Sequence, residues 1–317
     1  MLAALAAAAT PSLFAQARWP AKPIRIVVPF GAGGVADLTA RTVGQKLSEQ
    51  IGQAVIVENR PGAGGVTAGD AVARADADGT TLLLMSNATA VSAGLFNKLP
   101  FDAQKDFAPI SLLGTFDIAV VVPENSRFKT LADLLAEARA KPGKLNIATI
   151  AVGSTQNLAA ELFKTTAGID VQVVPFNGTP AVITALRGGQ VDAAMEILAG
   201  MKGQITSKAV RPLATFGEKR PADLPGVATA SETGGALKGL HIASWNALAA
   251  PARTPPDVIE RLNRELKTVL ASPDIRNKLA ELSVEARSST PQQLSELLAS
   301  ETQRWSGVIE RAKIPKQ

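Results

Sequence analysis

The chain contains no cysteine and no tyrosine, and it has a single histidine, His241. The absence of cysteine excludes disulfides, cysteine nucleophiles and thiolate metal sites. A transition-metal site is not expected either, because such sites are built from clusters of cysteine, histidine and carboxylate ligands. The sequence therefore predicts neither a bound metal nor a cofactor.

Aromatic residues are scarce, at 4% of the chain, and the 33 lysine and arginine residues are dispersed along it. Proteins that bind nucleic acids combine a basic stripe with aromatic side chains that stack on the bases. The sequence has neither feature, so no nucleic-acid partner is predicted. The formal net charge of +5 indicates a solvated surface that mildly favours anions.

Charge is also missing from residues 1–17. The apolar run at 2–9 is followed by Pro11 and then by small residues up to Ala17, which is typical of a secretory signal and its cleavage site. The run is too short to span a membrane. We expect export to the periplasm with cleavage near Ala17, and the alternative is a disordered alanine-rich tail.

The stretch 24–41 predicts a strand, a glycine loop and a helix. Residues 24–28 form a short, mostly β-branched run that is typical of a buried parallel strand. Pro29 ends this strand because proline cannot donate to a sheet ladder. Glycines then permit a backbone path that side chains would block. The residues of this loop are Phe30, Gly31, Ala32, Gly33 and Gly34. From Val35 onwards the apolar residues recur with helical spacing.

A helix that begins at a glycine loop presents unpaired N–H groups and a partial positive charge, which together bind anions. Two alternatives remain for this loop, a turn that binds nothing and a dinucleotide site. Residues 31–36 fit G-x-G-x-x-A, and Glu58 follows where a ribose-binding acid is found. Against a dinucleotide, Pro29 and Phe30 lengthen the turn, and Asp37 would oppose a pyrophosphate. A P-loop is excluded, because no Gly-Lys-Ser or Gly-Lys-Thr closes the loop.

Strand and helix patterns alternate along most of the chain. The motif Gly-Ala-Gly-Gly-Val recurs at 62–66 after a second strand, so two similar strand–loop–helix units would bring their loops to one sheet edge. A polar loop at 86–89 follows a third strand. Another loop at 151–157 precedes a helix in the second half of the chain. Thr179 suits the N-cap of a further helix, because Pro180 then takes the first helical position.

Two longer apolar stretches, 110–122 and 243–251, are predicted to cross between two α/β domains. Each domain would be a mainly parallel sheet flanked by helices. The predicted limits are 1–17 for the signal peptide, 18–118 with 249–317 for domain 1, and 119–248 for domain 2. Helix N-termini from both domains would face one cleft, which is the architecture of a solute-binding clamp that closes on its ligand.

Eight motifs occur in a characteristic order. They are Trp19-Pro20-Ala21-Lys22-Pro23-Ile24; Pro29-Phe30-Gly31-Ala32-Gly33-Gly34-Val35-Ala36-Asp37 with Arg41; Val57-Glu58-Asn59-Arg60-Pro61-Gly62-Ala63-Gly64-Gly65; Asp78-Gly79-Thr80-Thr81-Leu82; Gly153-Ser154-Thr155 with Glu161-Leu162-Phe163; Pro175-Phe176-Asn177-Gly178-Thr179; Gly188-Gly189-Gln190-Val191-Asp192; and Arg220-Pro221-Ala222-Asp223-Leu224-Pro225. With these motifs, residues 19–317 resemble the Bug receptors, the TctC-like substrate-binding proteins of tripartite tricarboxylate transporters.

The resemblance implies a periplasmic receptor with the two-domain periplasmic-binding-protein (Venus flytrap) fold. Such a receptor is a monomer and no enzyme, and it delivers a small organic carboxylate to the permease subunits of a tripartite tricarboxylate transporter. Dicarboxylates and aromatic acids are candidate ligands. The resemblance also implies that the first glycine loop and the loop at 153–157 contact the ligand carboxylate, partly through ordered water. The alternative function is that of an NAD-linked oxidoreductase with a Rossmann-like loop at 31–36.

The predicted ligand-binding residues lie at strand ends, in the loops that follow them and in the first turns of the next helices. They are Phe30, Gly31, Ala32, Gly33, Gly34, Val35, Asp37, Ser86, Asn87, Gly153, Ser154, Thr155, Asn157, Phe176, Asn177, Gly178 and Glu196. Three positions depart from the usual family pattern. Ala36 replaces a common threonine, Asn157 replaces a common histidine, and Met-Glu-Ile at 195–197 replaces Phe-Asp-Asn. Glu196 is either a partner for a ligand hydroxyl or amine, or a surface residue.

Overall fold

The computed structural model describes residues 19–317. The predicted signal segment and its cleavage site at Ala17 lie outside the described residues. Strands and helices alternate along the described chain, as predicted. The strands are β1 (Ile24–Val28), β2 (Val55–Asn59), β3 (Thr81–Ser86), β4 (Phe107–Pro123), β5 (Asn146–Ile150), β6 (Gln172–Phe176), β7 (Ala193–Ile197), β8 (Val210–Thr215), β9 (Ala243–Pro251) and β10 (Glu285–Ala286).

Most helices follow the predicted positions, including the three at the end of the chain, but those at 87–95 and 198–206 were not predicted. They are α1 (Val35–Ile51), α2 (Val66–Ala73), α3 (Asn87–Leu95), α4 (Leu131–Ala140), α5 (Thr155–Ala167), α6 (Thr179–Arg187), α7 (Leu198–Thr206), α8 (Pro256–Ala271), α9 (Pro273–Glu281) and α10 (Pro291–Arg311). Glycines in the left-handed conformation, which lacks a steric penalty only for glycine, end α1 at Gly52 and α5 at Gly168.

The strands form one mixed sheet in the order β2-β1-β3-β9-β4-β7-β5-β6, with β8 and β10 also paired to β4. The sheet has two halves that share β4. Residues 107–117 of β4 pair with β9 in the first half, and residues 118–123 pair with β7 and β8 in the second half. The predicted crossing at 110–122 is therefore confirmed.

The other predicted crossing, at 243–251, needs a correction. All of β9 pairs with β3 and β4 inside the first half. Its antiparallel ladder with β4 begins at its first residue and, with two register shifts, reaches its last. Ala243 lies opposite Asp117 of β4, so the chain returns to the first half just before β9 begins. The domain limits given above, 18–118 with 249–317 and 119–248, stay a prediction.

Three apolar clusters hold the helices to the sheet. One lies between the first half and α1, α8 and α9. Another lies between the second half and α6 and α7. The third joins both halves on the opposite face, beneath α2, α3, α4, α5 and α10, and includes the fully buried Phe163 and Trp305. Burial of each such side chain contributes about 1.5–3 kcal/mol, so this shared layer holds the halves to one another.

Two local predictions near the strand ends are wrong. The polar loop expected at 86–89 is the start of α3, because Ser86 caps the helix and forms a reciprocal capping box with Thr89. Small residues fill this helix, so it lacks the long apolar side chains that reveal helical spacing. Thr179 is not an N-cap. Gly178, at φ 86°, takes that position, and Thr179 is the first residue of α6.

Candidate functional site

The carboxyl ends of the parallel strands in both halves meet along one segment of β4. In the first half, β3 ends at Ser86, which lies opposite Asn246 of β9, and Asn246 lies opposite Gly114 of β4. In the second half, β7 ends at Ile197, which lies opposite Ile118 of β4. Because β1 runs parallel to β3, and β5 and β6 run with β7, the loops after these five strands converge there. Loops at such strand ends form the ligand sites of α/β proteins.

The carboxylate of Asp37 holds the glycine loop after β1. It accepts hydrogen bonds from the N–H of Gly33 at 2.8 Å, from Arg41 Nε at 3.0 Å and from Asn59 Nδ2 at 2.9 Å. Asn59 Nδ2 also donates to the carbonyl of Phe30. Burial of Asp37 opposes its ionisation, but the hydrogen bonds from Arg41, Gly33 and Asn59 outweigh burial and lower its pKa. The carboxylate of Asp37 is therefore already paired with groups of the protein, and its role is to hold the loop in place.

The loop itself is open to solvent. Residues 31–34 are exposed, while Phe30 and Val35 are half-buried against the α1 side of the core. Gly33 has φ 83°, and a Cβ atom built on it would meet no atom within 4 Å. Gly34 is the N-cap of α1 and makes no side-chain cap. The first N–H groups of α1 have no partner within the helix, and the open loop leaves room for an anion beside them.

The loop after β5 is built in the same way. Gly153 has φ 77°, and its N–H donates to Asn157 Oδ1 at 3.1 Å. Ser154 is the N-cap of α5, and its hydroxyl accepts from the N–H of Asn157 at 3.1 Å. The spacing from the left-handed glycine to the accepting side chain is the same as from Gly33 to Asp37. The two halves therefore present equivalent loops, one with a charged acceptor and one with a neutral one.

This difference in charge affects the two helix N-termini. The first turn of α1 contains Asp37, whereas the first turn of α5 contains Thr155, Gln156 and Asn157 and no acid. A carboxylate in the first turn offsets the positive end of the helix dipole. The N-terminus of α5 consequently has the less compensated positive potential. Thr155 is half-buried, and Asn157 is buried with its Nδ2 donating to Thr149 Oγ1 at 3.3 Å.

The second loop lies directly against the first half of the sheet. A Cβ atom on Gly153 would lie only 2.3 Å from Cδ2 of Leu95, the last residue of α3. The neighbouring Val152 is 42% exposed and is one of the large apolar side chains left open to solvent. Glycine is therefore required at 153 both by its backbone conformation and by the close approach of α3.

The start of α3 adds buried polar groups. Ser86 and Asn87 are buried, and Asn87 Nδ2 donates to the carbonyl of Ala243 at 3.2 Å. Asn246, across from Ser86, is fully buried, and neither polar atom of its side chain has a partner within residues 19–317. The sequence prediction missed Asn246. The available signal was a single amide inside the apolar run at 243–251.

Glu196, at the end of β7, is fully buried and not on the surface. Its Oε2 atom accepts hydrogen bonds from Gln156 Nε2 at 3.2 Å, from Thr179 Oγ1 at 3.3 Å and from the N–H of Ile197 at 3.2 Å. Burial raises the pKa of Glu196, and these hydrogen bonds oppose the rise. The prediction also missed Gln156 and Thr179 as partners of Glu196, although they lie in the first turns of α5 and α6, directly after loops that it selected.

The remaining predicted residues follow β6. Phe176 is half-buried against the α6 and α7 cluster, Asn177 is exposed, and Gly178 caps α6. By contrast, the second Gly-Ala-Gly-Gly copy at 62–65 is a packing element. A Cβ atom on Gly64 would lie 2.5 Å from the ring of Phe96, and one on Gly65 would lie 3.2 Å from Pro29. The copy therefore packs against Pro29, directly before the first loop, at the sheet edge that the repeat predicted.

Comparison with known proteins identifies the family. The profile described as "Tripartite tricarboxylate transporter family receptor", TctC, matches residues 39–314. The chain belongs to this family. Protein BugT of Bordetella pertussis is 34% identical over 293 residues, which cover 92% of this chain and 89% of BugT. The resemblance to Bug and TctC-like receptors is therefore confirmed, and the family is one of solute-binding receptors.

Solved structures of relatives confirm the two-domain α/β fold. An R. palustris protein solved with adipate has a TM-score of 0.83 and 31% identity, covering 94% of this chain and all of that one. MatC from Rhodopseudomonas palustris, solved with bound malate, has a TM-score of 0.78 and 29% identity over 92% of this chain and all of MatC. Within residues 19–317, no helix is both long enough and apolar enough to cross a membrane.

Proposed function

We propose that this chain is a periplasmic receptor that binds a small organic carboxylate where the strand ends of the two halves meet. It then delivers the ligand, as a monomer, to the permease subunits of a tripartite tricarboxylate transporter. The observation that carries the proposal is the pair of equivalent loops at Gly33 and Gly153, each placing the N-terminus of a helix at the same segment of β4. Adipate and malate in the related structures are carboxylates of the expected kind.

Backbone groups supply the binding energy in this proposal. Hydrogen bonds to a charged group contribute about 1.5–3 kcal/mol each. Two or three N–H donors from the N-termini of α1 and α5 therefore contribute about 3–9 kcal/mol. Micromolar affinity corresponds to about 8.2 kcal/mol, so three strong bonds approach it without a lysine or arginine at the carboxylate. No Lys or Arg occurs between Val28 and Leu38, which agrees with a site made from backbone.

The polar side chains at the site favour a receptor over an enzyme. The hydroxyl of Ser154 caps α5 and donates to the carbonyl of Ile150, so it is engaged with backbone and not with a general base. A nucleophilic serine needs such a base within hydrogen-bond reach. His241 Nδ1 lies 3.4 Å from the carbonyl of Gly217, on the segment that follows β8. We therefore propose that the protein has no catalytic activity.

The same contacts oppose the NAD-linked alternative. Glu58, in the position of a ribose-binding acid, is paired with Arg60 at 2.6 Å and with Arg25 at 3.3 Å. Asp37 places its charge in the first turn of α1, where a pyrophosphate would bind. Glu58 and Asp37 are thus both paired with arginines, and the loop favours an anion smaller than a pyrophosphate.

A thermal-shift screen tests the proposal. The mature protein is melted with adipate, malate, succinate, benzoate or NAD, each over a range of concentrations. A ligand present at 100 times its Kd stabilises the folded protein by about 2.7 kcal/mol, which raises Tm by roughly 5–10 °C at about 2–4 °C per kcal/mol. We expect a shift with at least one carboxylate and none with NAD. A shift with NAD and none with any carboxylate would sink the proposal.

Export is tested separately by the intact mass of the protein recovered from the periplasm. Cleavage after Ala17 gives a mature chain that begins at Arg18. A protein found only in the cytoplasm at full mass would exclude the periplasmic assignment, whatever the binding data show.

A further inference from the structure

A row of three residues crosses the second half of the sheet beside the proposed site. Glu196 of β7 lies opposite Ala119 of β4, and Ala119 lies opposite Thr215 of β8. Residues directly opposite one another in antiparallel strands share a face of the sheet. Glu196 and Thr215 therefore flank the small side chain of Ala119 on one face.

Two oxygens of this row lack hydrogen bonds. Glu196 and Thr215 are both 0% exposed, and in the described part of the chain neither Glu196 Oε1 nor Thr215 Oγ1 has a partner. Buried polar atoms are normally paired, because leaving them unpaired is costly. The methyl group of Ala119, which lies between them, packs in the apolar cluster with α6 and α7 and offers neither oxygen a hydrogen bond. The row is therefore incomplete without a further polar group.

Hydrogen bonds to Oε2 fix the orientation of the Glu196 side chain. Oε2 accepts from the end of β7, from Gln156 in the first turn of α5 and from Thr179 at the start of α6. Burial raises the pKa of Glu196 and the three donors on Oε2 oppose that rise. A cationic group on a ligand beside Oε1 would favour the ionised form further, and an ionised carboxylate only accepts hydrogen bonds. Because these three donors are bonded to Glu196 Oε2, they do not bind a carboxylate of the ligand. The free Oε1 atom is thus an acceptor at the edge where the loops converge.

We propose that Glu196 is a specificity-determining residue that selects ligands bearing a hydrogen-bond donor, an ammonium or a hydroxyl, in addition to the carboxylate. The inference rests on the proposed function, since the carboxylate itself is assigned to the N-termini of α1 and α5. A donor on the ligand completes the pairing of Glu196 Oε1. A second ligand carboxylate would instead bring two like charges together in a buried place.

Ligand pairs that differ in one group provide the test. Calorimetric titrations compare adipate with 6-aminohexanoate, glutarate with 5-aminopentanoate, and succinate with malate. In the first two pairs an ammonium replaces one carboxylate, and in the third a hydroxyl is added. For the native protein we expect the donor-bearing member to bind at least tenfold more tightly in the pairs that bind. Tighter binding of the dicarboxylate in the first two pairs would overturn the proposal.

The variant Glu196→Gln keeps the shape of the side chain and removes its charge. We expect it to reduce the preference for the ammonium ligand at least tenfold, because the attraction to the charge is lost. Glu161→Gln, on α5 but outside the site, is the matched control and should leave the preference unchanged. If Glu196→Gln alters every affinity by the same factor, Glu196 only supports the loops and the specificity role fails.

Failure of the two proposals is distinguishable. Binding of carboxylates without any preference for a donor leaves the receptor function standing and overturns the role of Glu196. If no carboxylate binds to the native protein, the receptor proposal itself fails. Because the native ligand preference is measured without any substitution, poor folding of Glu196→Gln does not prevent a decision.

Discussion

Glycines at the first loop and at its sequence repeat have opposite surroundings. Gly34 is exposed with φ −78°, and the nearest atom to a Cβ built on it is the carbonyl oxygen of Gly31 at 3.8 Å. Gly64 has φ 58°, and a Cβ there would lie 2.5 Å from Phe96. A side chain at Gly34 would thus be accepted by the fold but would occupy the space beside the helix N-terminus. A side chain at Gly64 would be opposed by both sterics and backbone conformation.

We predict that Gly34→Val weakens carboxylate binding about a hundredfold or more, with little change in Tm. Displacing the ligand from two N–H donors removes about 1.5–3 kcal/mol for each, and 1.4 kcal/mol corresponds to one decade of affinity. Gly64→Ala should destabilise the protein by about 1–3 kcal/mol and leave affinity within twofold. Titration calorimetry and melting curves of both variants decide the matter. Normal binding by Gly34→Val would show that the loop is only a turn.

Asp117 is the other residue whose surroundings lead to a clear test. It lies on β4 where the two halves join, and its carboxylate packs against the backbone of Gly217. Burial, together with the charges of Glu285 and Asp223, raises its pKa to about 6. In the unfolded chain an aspartate titrates near 3.9. The folded protein therefore binds this proton more tightly, and the stabilisation is lost as pH rises through about 6.

Asp117→Asn should stabilise the protein above pH 6, because the amide has no charge to bury. The gain is at most about 3 kcal/mol at pH 8, from a shift of about two pKa units at 1.36 kcal/mol each. At pH 4 the native carboxyl is protonated in the fold, so the difference should nearly vanish. Urea unfolding of both proteins at pH 4 and pH 8 measures this difference in the free energy of unfolding. An equal effect at pH 4 and pH 8 would mean that the titration of Asp117 does not contribute.

Short sequence patterns selected the loops at the strand ends where we propose the site, but not the side chains that contact them. Glycines, prolines and caps act locally, so Gly33, Ser154 and Gly178 could be selected from short patterns. The partners of Glu196 could not, because Gln156 and Thr179 meet it only through the packing of α5 and α6 against β7. Residues 33–37 and 153–157 share the spacing from a glycine to the side chain that accepts its N–H. Residues 31–35 and 62–66 have the same sequence, and this closer match favoured 62–66 as the counterpart of the first loop instead.

At the scale of elements, α3 connects the site to the contact between the halves. Its capped end carries Ser86 and Asn87 at the strand ends, and its last residue, Leu95, packs against Gly153. Sequence patterns did not predict α3, because its helical state depends on the cap and on burial and not on an apolar stripe. The amphipathic helices α8 and α10 were predicted nearly to the residue, since their stripes are long and regular.

Ser86→Ala and Thr130→Ala form a matched pair that tests α3. Both residues are N-caps in capping boxes, of α3 and α4 respectively. Each substitution should lower the free energy of unfolding by about 1 kcal/mol. Only Ser86→Ala should weaken ligand binding, because α3 begins at the proposed site and α4 does not. Equal affinities in both variants would remove the start of α3 from the site. The measurements are urea unfolding and calorimetric titration.

At the scale of the whole molecule, β4 is the strand that both halves share. The halves also touch through α3 and the loop at Gly153, on the face where the apolar cluster is continuous. A clamp of this construction closes by bending where β4 passes from one half to the other. The carboxylate would then be enclosed between the two glycine loops.

Closure predicts that a saturating carboxylate reduces the radius of gyration of the mature protein. Small-angle X-ray scattering of protein freed from carried-over ligand by unfolding and refolding measures this change. Gly34→Val serves as the control, because it should stay at the larger radius with the same ligand. An unchanged radius in the ligand-saturated native protein, shown to be saturated by calorimetry, would count against closure.

The pairing of Asp117 with Ala243 also makes residues 118–242 an exchangeable cassette. The chain leaves the first half and rejoins it at neighbouring positions of one antiparallel ladder, so a two-residue Asn-Gly turn would reconnect the ends. Recombination at the two junctions beside this pair would place a foreign second half, with its own residues in place of Glu196 and Thr215, on an unchanged first half. Chimeric receptors with new ligand preferences could then be assembled from three coding segments, of which only the middle one is foreign.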